Sequence, residues 1–148
     1  MLSKSLVIFV GIGIISGLLF GIYLIDVKNT SQLVYVEGPG ISILTEKFDF
    51  KKGEEIKITI MNTGTVPLSF SDASYGLIVK QLDSIPIFTP ISAQVISKLE
   101  SHDEVTFVWD QMKNNGEPIL EGTYKITSKA ITLDGSIIEK IVVIHVFK

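Results

Sequence analysis

Residues 6–25 read LVIFVGIGIISGLLFGIYLI and contain no charged side chain. No other feature restricts the chain as strongly. At about 1.5 Å per residue a helix of this length spans about 30 Å, the hydrocarbon thickness of a bilayer. In lipid a lone segment satisfies its own backbone N–H and C=O groups only as a helix. The run is longer than the apolar part of a secretory signal and ends in GIYLIDVKN, without a small-x-small cleavage site. The expectation is an uncleaved transmembrane helix over residues 6–25 behind a short tail, residues 1–5. Lys4 precedes the run and Asp26 and Lys28 follow it, so the basic flanks are nearly balanced. An N-terminal anchor ahead of an exported β-rich domain usually keeps its tail inside. The expected location is therefore the cell membrane, single-pass, N-terminus cytoplasmic, with the rest extracytoplasmic.

Within this run Gly13, Gly17 and Gly21 recur every four residues, giving G-x-x-x-G twice in register. On a helix they share one face, where a second helix can approach closely. That face points to self-association as a homodimer or to docking on a partner subunit. Ordinary membrane-helix composition supplies glycine as well, and gives the bland reading of the same pattern.

Residues 26–40 form a spacer, in which LVYV suggests a short strand and Gly38-Pro39-Gly40 breaks regular structure. From 41 to 148 no 3.6-residue period is present. The segment EIKITIMN alternates, with Ile56, Ile58 and Ile60 on one face and Lys57, Thr59 and Met61 on the other. PLSFS places Leu68 and Phe70 together, and VTFVW places Val105, Phe107 and Trp109 together. YGLIVKQL and AQVISKL read as further strands, and Asp134-Gly135 is a hairpin turn between the last two. Roughly seven to nine short strands with frequent turns predict an all-β domain, an Ig-like antiparallel β-sandwich over 41–148.

The stretch FVWDQMKNNGEPILEGTY, residues 107–124, gathers Asp110, Asn114, Asn115, Gly116, Glu117 and Glu121, as an oxygen-rich metal loop would. The spacing fails for an EF-hand: counted from Asp110, position three is Met112 and position six is Asn115. Asn114-Asn115-Gly116 is the chemistry of a turn with positive φ. Trp109 and Tyr124 are expected to pack the end of the core. SIPIFTPIS, residues 84–92, carries two prolines, which keep it out of a central strand. Its Ile85, Ile87, Phe88 and Ile91 are too apolar for an idle loop. Either they cover the open end of the core or they are an exposed partner-binding patch.

The inventory excludes much chemistry. There is no cysteine, so disulfides, thiolate metal sites and thiol nucleophiles are absent. Arginine is absent too, and the part beyond the apolar run holds twelve lysines against all sixteen acids. Nucleic-acid binding calls for a basic face with fork-shaped arginines, so no nucleic-acid partner is expected. Neither G-x-S-x-G, H-E-x-x-H nor a phosphate loop occurs, so no enzyme and no cofactor is expected. His102 and His145 stand alone on their elements and make a weak metal site.

The segment IKITIMNTGTVPLSFSDASYGLIVKQLD, followed by SKLESHDEVTFVWD and EGTYKIT, resembles the intracellular proteinase inhibitor family of BsuPI type over about 90 residues. Asn62, Phe70, Trp109, Gly122, Thr123 and Tyr124 carry the match. SIPIFTPIS stands where that family has an aromatic centre, and Glu121 where it has proline. The resemblance implies an Ig-like sandwich with Trp109, Gly122, Thr123 and Tyr124 as its core motif. The W-D…G-T-Y ending is also similar to the Ig-like domain of flagellar hook-capping proteins. The leading functional expectation is a membrane-anchored, non-catalytic binding or scaffolding module that holds a protein partner. The alternatives are a proteinase inhibitor, with SIPIFTPIS entering a protease cleft, and a metal-binding accessory subunit using His102 or His145.

Overall fold

The computed structural model describes residues 4–29 and 33–148, with helix side chains placed over residues 8–22. The first three residues of the expected tail and residues 30–32 of the expected spacer lie outside this description. Two compact units result, 1–30 and 31–148.

The first unit is one helix, α1 (Lys4–Asn29), of 26 residues. Over residues 8–22 it has no polar face: apolar side chains from Ile8 to Ile22 project on all sides, 54–73% exposed. Ser16 turns its hydroxyl back onto the carbonyl of Ile12, 2.5 Å away, which satisfies it without solvent. A methyl group added at Gly13, Gly17 or Gly21 would meet nothing within 4 Å. Among the described residues no helix is long and apolar enough to cross a membrane; the part of α1 with placed side chains, residues 8–22, is shorter than such a crossing needs.

The second unit contains ten strands: β1 (Ile41–Thr45), β2 (Asp49–Lys51), β3 (Ile56–Asn62), β4 (Leu68–Phe70), β5 (Ile78–Gln81), β6 (Pro86–Phe88), β7 (Ser97–Leu99), β8 (Glu104–Trp109), β9 (Gly122–Ile131) and β10 (Ile137–Phe147). One sheet has the order β1-β3-β8. The other runs β2-β10-β9, and β9 then pairs with both β5 and β4, which carry β6 and β7 on their outer sides. All pairings are antiparallel except one: β2 joins β10 parallel, with His145 opposite Asp49. After β1 the chain crosses to the other sheet through residues 46–48 without reversing, so β2 runs alongside β10 rather than against it.

The expected alternation is present. In β3, Ile56, Ile58 and Ile60 are fully buried while Lys57 is exposed. They join Ile43 from the same sheet and Leu68, Phe70, Val79, Ile126 and Ile144 from the other in a single apolar core. Three expected strands are shorter or missing. YGLIVKQL keeps only Ile78–Gln81, AQVISKL keeps only Ser97–Leu99, and LVYV forms none. Instead the end of the spacer docks on the domain: Val36 N–H donates to Thr63 O, Thr65 N–H to Gly38 O, and Thr63 N–H to Gly40 O. The approach is close enough that a Cβ on Gly64 would lie 2.2 Å from Gly38 O, so only glycine fits.

The β9–β10 hairpin turns at Asp134-Gly135, as the sequence predicts. The Asp134 carboxylate accepts from Ser136 N–H at 3.1 Å, Ser136 Oγ at 2.8 Å and the Thr132 hydroxyl. These bonds, that of Thr132 first, hold its pKa down to about 2 from 3.8. A depressed carboxylate stabilises the fold above its unfolded pKa and loses that contribution as pH falls through the folded one. Asp134→Asn is therefore expected to melt less steeply than the parent between pH 3.8 and about 2. Thermal melts across that range check this; parallel curves would refute it.

Candidate functional site

The loop from Trp109 to Tyr124 is a closure device for one end of the strands. Trp109 is fully buried at the end of β8, stacks on Phe88 at 5.7 Å and meets Tyr124 edge-on at 6.2 Å. Its indole N–H donates to Met112 O at 2.8 Å, which starts the loop. Gln111 then adopts φ 61° and is almost wholly buried. Its side chain accepts from Gly53 N–H and donates to Lys51 O, both at 2.8 Å, and so ties the loop to the β2–β3 turn. Gly116, at φ 82°, makes the tip.

Of the polar residues that resemble metal ligands, Asp110, Asn114 and Asn115 are spent on backbone, and Glu117 pairs with Lys113 Nζ at 3.1 Å. Asp110 accepts from Met112 N–H at 3.1 Å, and Asn115 from Glu117 N–H at 3.0 Å. Hydrogen bonds from Asn115 and Lys113 lower the pKa of Glu117. Asn114 covers the outer edge of β6. Its own N–H donates to Ile87 O, its Oδ1 accepts from Thr89 N–H at 2.8 Å, and its Nδ2 donates to Thr89 O at 2.9 Å. Among the described residues no group of three or more His, Cys, Asp or Glu could hold a metal ion.

Asn114→Ala uncovers that edge. The expected cost is about 1 kcal/mol of stability together with faster aggregation, because an unpaired strand edge recruits other strands. Denaturant melts and light scattering of the variant measure both.

SIPIFTPIS divides between the two roles open to it. Ile87 is buried and Phe88 half-buried against Trp109, while Ile85 is exposed and Ile91 is 102% exposed. Pro86–Phe88 form the edge strand β6, which leaves only Ile85 and Ile91 of the four for contact with another molecule. Two open grooves of about 350 Å³ flank the β5–β6 turn and share Gln81. One lies between Ile85 and Lys113–Asn115, the other between Leu82 and residues 120–123. Leu82, Ile85 and Leu120 stand exposed around them. Leu82, the last residue of the expected strand YGLIVKQL, falls in the turn after β5, and Leu120 lies in an irregular segment with no period to mark it.

Gly122 opens β9, and Thr123 Oγ1 lies 3.0 Å from His145 Nδ1. Tyr124 is buried, and its hydroxyl donates to Leu120 O at 2.6 Å. Burial pushes the Tyr124 pKa up, so the phenol stays a donor. His102 sits in the turn before β8 at φ 69°, its ring 5.1 Å from that of Tyr35 and its Nδ1 3.1 Å from Ser101 Oγ. His145 faces Thr123 at the start of β9, while His102 precedes the start of β8; the register puts these at opposite ends of the strands. The two histidines share no site.

No family model matches the chain, and no curated protein matches it. Among solved structures, the sporulation control protein Spo0M from Bacillus subtilis aligns with 76% of this chain and 51% of its own, at 15% identity and a TM-score of 0.43. A β-glucosidase from Listeria innocua aligns with 74% of this chain and 16% of its own, at 12% identity and TM-score 0.34 with glucose bound. Its gluconolactone complex gives 14% identity and 0.33. The chain thus spans about half the length of the first of these proteins and about a sixth of the second. At these scores the likenesses carry no argument about fold or activity.

Proposed function

We propose that this chain is a membrane-anchored, non-catalytic binding module, in which α1 lies in the bilayer and an Ig-like β-sandwich holds a protein partner outside the cytoplasm. The observation that carries the reading is the surface of α1 over its described side chains, residues 8–22, where apolar groups project on every side. The uncharged run, residues 6–25, would span about 30 Å as a helix at ~1.5 Å per residue, the thickness of a hydrocarbon core. The Ig-like assignment is supported by two sheets sharing one core and by the passage of the chain from β1 in one sheet to β2 in the other. It is supported again by Tyr124, at the start of the penultimate strand, whose hydroxyl bonds to the backbone four residues upstream. A tyrosine corner in Ig-like sandwiches has a bond of the same kind.

Tethering raises the local concentration of the domain at the membrane, so a weak contact suffices to hold a partner there. The exposed Leu82, Ile85 and Leu120 around the two grooves are the surface we assign to that contact. Carbonate extraction tests the anchor: the full chain should stay with the membrane pellet, and release into the supernatant ends the reading. A photo-crosslinking side chain at Ile85 or Leu120 tests the surface in intact membranes. It should give a discrete adduct that the same probe at the exposed Lys52 does not; equal labelling from all three positions removes the site.

A further inference from the structure

Sheet edges are where a β-protein meets other chains, and in this domain all but one are short or obstructed. β2 and β7 present three residues each. The edge of β6 is covered by Asn114. The free edges of β1 and β10 approach each other within 8 Å between Cα atoms, and a strand inserted between two others needs about 9.6 Å. The exception is β8, six residues long and paired on one side only, with β3.

The register shows which groups the β8 edge offers. Asn62 N–H donates to Asp103 O, and antiparallel bonding alternates from there. Val105, Phe107 and Trp109 therefore bond to β3, while Glu104, Thr106 and Val108 turn their N–H and C=O groups away from it. Among the described residues no backbone hydrogen bond beyond the β3 ladder involves these three. The strand EVTFVW is rich in β-branched and aromatic residues. It carries no proline, lysine or bulge, the usual protections of an edge. Its inward side chains Val105 and Phe107 are only half-buried, and Val108 on the outer face is 58% exposed.

We infer that β8 pairs antiparallel with β8 of a second copy of this chain, about a two-fold axis at Thr106, giving a continuous sheet β1-β3-β8-β8-β3-β1. The strand is self-complementary in that register, as an isologous contact demands. Glu104 of each copy lies opposite Val108 of the other, so no like charges face one another. The two Thr106 side chains meet at the axis. Each already lies 2.9 Å, hydroxyl to hydroxyl, from its own Thr59, so four hydroxyls cross the dimer in one row. On the inner face Val105 of each copy lies opposite Phe107 of the other, which covers the half-exposed apolar edge. The contact is separate from the partner surface around Ile85 and from any helix contact through Gly13, Gly17 and Gly21.

The chain contains no cysteine, so single introduced thiols report the contact without background. Residues on the free edge form hydrogen-bonded pairs with Cα atoms about 5.5 Å apart, within disulfide reach. Full-length T106C in detergent, mildly oxidised, should give a disulfide-linked dimer at least about tenfold more abundant than E104C does, since the two Glu104 Cα atoms would be about 14 Å apart. The double variant E104C/V108C should also crosslink. A monomeric T106C, or one that crosslinks no better than E104C, overturns the inference; the latter is what a dimer held only by its helices would give. Adding T106K to E104C/V108C sets two ammonium groups against each other at an exposed position. With circular dichroism unchanged, crosslinking should fall to the E104C level, and its persistence would equally overturn the pairing.

Discussion

Trp109→Ala should lower the unfolding free energy of the domain by about 3–5 kcal/mol, the range for truncating a large buried aromatic side chain. The indole is fully buried and touches three separate parts of the chain. It stacks on Phe88, supports Tyr124 and donates to Met112 O at 2.8 Å. Alanine leaves a cavity under β6 and an unpaired carbonyl at the start of the 110–121 loop. Trp109→Phe separates these effects, because it keeps most of the ring contact and loses the donor together with a small part of the ring volume. It should cost roughly 1–2 kcal/mol more than a ring swap at a site without such a bond. Urea melts of the full chain followed by β-sheet circular dichroism give both numbers. A loss below about 1 kcal/mol for Trp109→Ala would mean that the loop, not the core, is where the indole resides.

At the other end of the strands Asn62→Ala should cost roughly 3 kcal/mol, because three backbone groups, two of them buried and one part-buried, lose their partner at once. Asn62 is fully buried at the end of β3. Its Nδ2 donates to Val66 O at 2.8 Å and Leu99 O at 3.0 Å, and its Oδ1 accepts from Gly64 N–H at 2.9 Å. The side chain thereby holds the turn that receives the spacer at Gly38 and Gly40. Asn62→Asp is a sharper probe. It keeps the acceptor for Gly64 but points carboxylate oxygen at two carbonyls, so burial and repulsion would raise its pKa above the unfolded value. Such a group is tolerated while protonated, and its cost grows as pH rises through the unfolded pKa towards the folded one. Asn62→Asp should therefore approach parental stability near pH 4 and fall well below it at pH 7; equal deficits at both would remove the carbonyl contacts from the explanation.

Local pattern carried the elements. A run without charge reads as a helix from composition alone, and α1 extends beyond it at both ends, over residues 4–29, because helical propensity does not stop at the limits of apolarity. Period-two alternation identified the buried faces of β3 and β8, since side-chain direction in a strand follows from the backbone. Asp134-Gly135 and Asn114-Asn115-Gly116 were legible as turns because Gly135 and Gly116 take the positive φ that such turns require. What resisted reading was every feature set by residues distant in sequence. Asn114 guards β6 through Thr89, 25 positions away. Gln111 ties to Lys51 across 60 positions.

Alone, then, the amino-acid order determined a helix over the uncharged run followed by a strand-rich domain with a tryptophan and a tyrosine in its core, because helix and strand periods and turn chemistry act over a few residues. Only the tertiary structure decided that β2 runs parallel to β10, that SIPIFTPIS is half core and half surface, and that β8 keeps a bare edge. Sheet order and edge exposure depend on which strands find each other across the chain, and loop closure between distant residues leaves no periodic trace in the sequence.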